Sequence, residues 1–282
     1  MSLARDRIVC TFAAALSLAG CSGRSGTQGT GDMARAPVNL DGFIDPGMVT
    51  PTDFAAADLP PTYETIWAHT GTTLYTVDPS TFALTTIGDF NGPEDMTDLA
   101  VTPDGKVYTV SRTGVYSVDQ NTGEATTLAT GISSSNVALT FRLDGKLLAA
   151  DQAGNVIIID TTNGSTTTLG KYSSNMSYDT AGDLVAVADG TMYGVSTKAP
   201  NISDKSNVLI KVNTSTAKAT TVGSIGFTGV FGTAYSGGRV LAFTKTGQII
   251  QIDPSTGAGT LVATHTGTAF YGAGTSPLVP IL

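Results

Sequence analysis

The residues best suited to chemistry fall in a few short stretches. Glu94-Asp95-Met96-Thr97-Asp98 brings three carboxylates within five positions, and Asp183 opens a similar run, since Asp98-Leu-Ala-Val and Asp183-Leu-Val-Ala-Val read alike. Two to four carboxylates facing one place would offer a hard cation such as Ca2+ part of its oxygen shell. The other reading is that each Asp caps the entrance of its strand. No Asp-x-Asp-x-Asp-Gly loop supports calcium elsewhere. Paired carboxylates roughly 5 to 9 Å apart also define glycoside hydrolysis. Of the glutamates Glu64, Glu94 and Glu124, however, only Glu94 lies with the aspartates. His69 and His265 are too few for a His-rich metal centre. There is no Gly-x-Ser-x-Gly elbow, no phosphate-cradling glycine loop ahead of a helix, and no cysteine nucleophile. Trp67, Phe231, Phe270 and Tyr271 would suit stacking on a sugar or peptide, although packing between sheets is the ordinary use of such rings.

What must position these residues is a repeat. Leu74-Tyr-Thr-Val-Asp78-Pro-Ser-Thr, followed by Leu84-Thr-Thr-Ile-Gly88, recurs around Asp119, Asp160, Asn213 and Asp253, so the anchors are about 40 residues apart except for one interval of 53. The alternation before each anchor reads as a half-buried strand. Asp and the residues after it are turn chemistry, because the carboxylate bonds backbone N–H groups two residues on. The Thr-Thr-Leu run is a β-branched outer strand. Upstream of the anchors, Asp104-Gly105, Asp144-Gly145, Asp189-Gly190 and Gly237-Gly238 separate apolar runs, which signals tight hairpins. Each unit is therefore four antiparallel strands, and a period near 40 built from such units is the mark of a β-propeller. The fold class expected is all-β, a propeller of five blades.

The first repeat lacks its upstream strand, and the chain end supplies one. Phe270-Tyr-Gly-Ala-Gly-Thr-Ser-Pro277 aligns with Leu99-Ala-Val-Thr-Pro103 through its Ser/Thr-Pro ending. It is expected to form the innermost strand of the first blade and to leave no open seam. Residues 199–207 account for the longer interval as an insertion in a surface loop. On this scheme the mouth of the central channel is lined by loops that carry Glu94, Asp95, Asp98, Asn136, Asp183, His69 and Arg112, which are the candidate ligand-binding residues. His69 should lie beside the closing strand.

The start of the chain reads as an address. Arg5 and Arg7 precede an apolar run from Ile8 to Leu18, too short to be kept as a spanning helix. Once residues 1–20 are removed, Cys21 is the sole cysteine, which excludes an internal disulfide. Residues 22–62 are rich in Gly, Ser, Thr, Pro and Ala and read as a flexible tether with a reach of roughly 35 Å. The alternative is that a patch around Phe43, Ile44, Met48 and Phe54 docks on the propeller, which spans 63–282. Charged residues make up 13% of the chain and the net charge is −8, with no basic stripe for nucleic acid.

Leu18-Ala19-Gly20-Cys21 resembles the bacterial lipobox. That resemblance implies that Cys21 is acylated with palmitate-class chains and becomes the mature N-terminus, tethering the protein to the membrane; the other reading is an ordinary cleaved signal with Cys21 as a stray thiol. Ser22 in place of an acidic residue implies the outer membrane. The Asp-Gly-Lys-Val-Tyr and Val-Asp-Pro-x-Thr patterns over 63–279 resemble the broad set of bacterial propeller repeats that includes NHL-type and related exported proteins. The function expected is a lipid-anchored binding or scaffold module of the cell envelope with an envelope protein or glycan as partner and no cofactor. The alternatives are a hydrolase or lyase on carbohydrate or lactone substrates, using Glu94, Asp95, Asp98 and Asp183, and a purely structural spacer.

Overall fold

The computed structural model describes residues 65–132 and 135–279. The signal, Cys21 and the tether lie outside the described residues, as do Ser133 and Ser134. Among the described residues, twenty strands form five four-stranded antiparallel sheets in a ring, a five-bladed β-propeller. The first blade holds β1 (Ile66–His69), β2 (Thr73–Val77) and β3 (Leu84–Asp89), with β20 (Gly272–Gly274) on its inner edge. The second runs from β4 (Met96–Val101) to β7 (Ala125–Thr130), and the third from β8 (Asn136–Phe141) to β11 (Thr166–Lys171). The fourth runs from β12 (Leu184–Ala186) to β15 (Ala219–Ser224), and the fifth from β16 (Val230–Ser236) to β19 (Gly259–Thr264).

Closure is as the sequence predicts. Trp67 pairs with Gly274, Ala68 with Ala273 and His69 with Gly272. Phe270 is fully buried and meets Phe243 of the fifth blade edge to face, with ring centroids 5.3 Å apart. Thr275 Oγ1 donates to Tyr235 O at 2.8 Å and accepts from Tyr235 N at 3.1 Å, so the closing segment is bonded to both of its neighbours. Burying a large side chain such as Phe270 contributes roughly 1.5–3 kcal/mol.

The repeated anchors are turn caps. Asp78, Asp119, Asp160 and Asp253 each accept from the N–H two residues on at 2.8 Å, and Asn213 does so at 3.0 Å. Four positions later the backbone turns left-handed, at Gly123, Gly164 and Gly257 but also at Phe82 (φ 58°) and Ala217 (φ 59°). The glycine that ends the Thr-Thr-Leu/Val/Ile motif has a separate cause. A Cβ on Gly88, Gly170 or Gly223 would run into the carbonyl of Thr122, Thr216 or Thr256 in the next blade's turn. Adjacent blades thus interlock main chain against main chain at their outer edges. Nearer the axis, aliphatic and aromatic side chains fill the wedges; Trp67, Leu74, Met96, Leu99 and Tyr116 seal the first against the second.

Candidate functional site

Three of the five inner strands carry a β-bulge near their start, between Met96 and Asp98, Asn136 and Ala138, and Val230 and Gly232. A bulge leaves one residue unpaired and re-aims its side chain. The residues so released are Thr97, Val137 and Phe231. Together with Tyr271 and Ala181 they form the floor of a cavity of about 680 Å³ at one mouth of the channel. Gly71, Thr72, Glu94, Asp95, Met96, Arg112, Thr113 and Gln152 make its walls.

The predicted site residues divide into two sets. Glu94, Asp95 and Arg112 are exposed and line the cavity. Asp98, Asp183, His69 and Asn136 are buried beneath or beside it, because the strand period turns them away from the opening. Asn136 acts on the rim from behind: its Nδ2 donates to Arg112 O at 2.9 Å and fixes the backbone that carries the guanidinium. Glu94 Oε1 accepts from Thr113 Oγ1 at 2.9 Å, and hydrogen bonds from Ser111 and Thr113 hold its carboxyl below the usual range.

Asp98 and Asp183 do come together, though not in the open. Asp98 accepts from Leu99 N at 2.8 Å and from Leu139 N of the third blade at 2.6 Å. Asp183 accepts from Leu184 N at 2.5 Å and from Thr233 N of the fifth blade at 2.6 Å, and the Ala273 N–H of the first blade also acts on it. One inner-strand amide from every blade is thereby satisfied by two carboxylates at the centre of the ring. Both are fully buried, which raises both well above the usual carboxyl range, and the charge of Asp183 raises Asp98 further. The two carboxyls share this dry site, so the ionisation of one opposes that of the other.

His69 completes this buried layer. Its Nδ1 lies 2.5 Å from Thr70 O and donates to it, while Nε2 has no partner. Burial lowers its pKa to about 4, against the opposing effect of the Thr70 bond. A Cβ on Gly272 would run into both His69 Nε2 and Asp98 Oδ1, so the closing strand passes here only as glycine.

These placements bear on each chemical expectation. The oxygens of Asp98 and Asp183 are spent on main-chain amides, and among the described residues no three His, Cys, Asp or Glu side chains gather as a metal-holding group. Asp98 and Asp183 therefore present no free carboxylate pair to a cation at the mouth. The carboxyl groups with raised pKa values lie below the cavity floor, whereas Glu94, which faces the cavity, is held ionised and is unsuited to act as a general acid. A plugged channel suits a spacer, but the concave polar mouth above the plug does not. No helix among the described residues is long and apolar enough to cross a membrane.

The lining residues that sequence reasoning missed are Val137 and Thr72. Thr97, Val137, Phe231 and Tyr271 each immediately precede the inner-strand position occupied by Asp98, Ala138, Gly232 and Gly272, so aligning the inner strands would have found four of the floor residues.

No family model matches the chain, and no curated protein matches it. Among solved structures it is similar to a chain in a crystal structure of a nidogen/laminin complex, at 14% identity and a TM-score of 0.50. That likeness spans 75% of this chain and 97% of the other. A protein of unknown function from Bacteroides caccae matches at 10% identity and a TM-score of 0.41, over 73% of this chain and 74% of that one. A second, from Bacteroides thetaiotaomicron VPI-5482, matches at 16% identity and 0.46, over 73% of this chain and 60% of that one. The first of these supports the propeller fold; none carries a function.

Proposed function

We propose that the protein is a lipid-anchored binding module of the bacterial cell envelope, with the channel mouth as its working surface. The observation that carries the binding role is the cavity itself: about 680 Å³, open on one side, with acidic, basic, amide and aromatic groups converging on it. A concavity of a few hundred cubic ångströms with a few directed polar groups is the usual form of a ligand site. The anchor rests on the sequence: a signal-like start, the lipobox-like Leu18-Ala19-Gly20-Cys21, and Ser22 as the outer-membrane indicator. Acyl chains on Cys21 would hold the domain at the membrane, and the tether would let it reach an envelope protein or glycan.

The test joins fractionation to capture. Wild type should sediment with membranes and take up labelled palmitate, and Cys21→Ser should do neither. The full chain used as bait in detergent-solubilised envelope should retain a component that Asp95→Lys and Arg112→Glu each release. Capture that ignores both charge reversals would refute the role of the mouth; a wild-type protein that washes freely from membranes would refute the anchor.

A further inference from the structure

Four floor positions of the mouth are equivalent in the fold but not in chemistry. In the second and third blades they hold Thr97 and Val137, whereas the fifth and first present Phe231 and Tyr271; the fourth blade has Gly182 at that position and reaches the floor with Ala181. Those two rings lie nearly parallel, 13° between planes and 5.9 Å between centroids, and both are half-buried. Packing alone does not demand this: the ring closes equally well around small residues in the other three blades. The two aromatics therefore stack with an offset and make a stepped apolar surface on one side of the cavity. On the adjoining wall stand Glu94, Asp95 and Arg112, with Gln152 further round. Glu94 is already oriented by Thr113, and the Arg112 backbone by Asn136. Among the described residues Arg112 forms no ion pair with either neighbouring carboxylate.

Building on the binding role proposed above, we infer that the mouth pocket takes an uncharged sugar unit of an oligosaccharide. A pyranose ring has one face of C–H groups and a rim of hydroxyls. The face would lie on Phe231 and Tyr271, as an apolar ligand surface lies on aromatic rings. The rim hydroxyls would donate to Glu94 and Asp95 and accept from Arg112 and Gln152, which matches the mixed donor and acceptor set on the wall. Carboxylates and a guanidinium side by side favour a ligand that both donates and accepts and carries no charge of its own. The cavity volume lies within the range of small-molecule sites.

The experiment is a glycan array of neutral, acidic and amino oligosaccharides probed with the detergent-purified full chain, followed by calorimetry on the strongest binder. The expected result is a neutral oligosaccharide whose affinity falls about tenfold or more in Tyr271→Ala and in Phe231→Ala. The exposed Arg112→Ala, which touches no packed surface, should weaken it severalfold in a protein with unchanged melting temperature. A blank array, a preference for charged glycans, or an affinity unmoved by both Tyr271→Ala and Arg112→Ala overturns the sugar. If the array is blank while Asp95→Lys still releases a captured envelope component, the sugar falls and the binding role stands. If neither responds, both fall.

Discussion

Replacing Asp183 by alanine removes the acceptor on which three blades converge. It leaves Leu184 N and Thr233 N, bonded now at 2.5 and 2.6 Å, without a partner in a site closed to solvent. An orphaned buried donor costs roughly 1–3 kcal/mol, so the two together cost roughly 2–6 kcal/mol. Part of this is returned, because Asp98 loses a charged neighbour. A net loss of at least about 2 kcal/mol is expected, a large share of the roughly 5–15 kcal/mol typical of a domain. Urea unfolding followed by the fluorescence of the lone Trp67, packed between the first and second blades, reads this directly. The pH dependence supplies a second reading. Both carboxyls are raised in the fold, so the stability they confer is fully present below the unfolded value of 3.8 and is lost as pH rises through their folded values. His69 works the other way. Its pKa is lowered from 6.5 to about 4, so its contribution is present above 6.5 and is lost as pH falls toward 4, to the extent of roughly 3 kcal/mol. In a His69→Leu background the difference in pH slope between the parent and Asp183→Ala reports the buried pair, because the lowered exposed carboxyls such as Asp78 and Glu94 are common to both. A loss under about 1 kcal/mol at pH 7, or an unchanged pH slope in that background, would refute the idea that the pair holds the ring.

Two further outcomes follow from the same geometry. Gly223→Ala drives a methyl group into Thr256 O of the fifth blade and should cost roughly 1–3 kcal/mol, visible as a lower thermal midpoint by circular dichroism. Truncation after Gly267 removes β20 and the buried Phe270, so it should yield aggregated protein by size-exclusion chromatography, whereas the full chain should run as a monodisperse species.

The fold was legible because its information is local and repeated. Asp78 with its turn, Asp104-Gly105 with its hairpin and the Ser/Thr-Pro ending of the closing strand each read correctly in isolation, and the period assembled them. The site was legible only in part. Glu94, Asp95 and Arg112 sit on loops that the blade scheme places at a rim, and the structure puts them there. Asp98 and Asp183 stood out as a matched pair, but their meeting on the axis depends on the ring's radius and on side-chain direction after a bulge. Neither is written in a strand's own residues. The same is true of Phe231 and Tyr271, which are forty residues apart in sequence and neighbours only because the last strand joins the first blade.

That joining has a consequence for how the molecule comes into being. The innermost strand of the first blade is synthesised some two hundred residues after its partner β1. No complete ring exists before β20 has emerged, and the amides that Asp183 gathers are not all present until Ala273 arrives. The domain must therefore acquire its final shape in one late event governed by very distant contacts, which places it among slow folders.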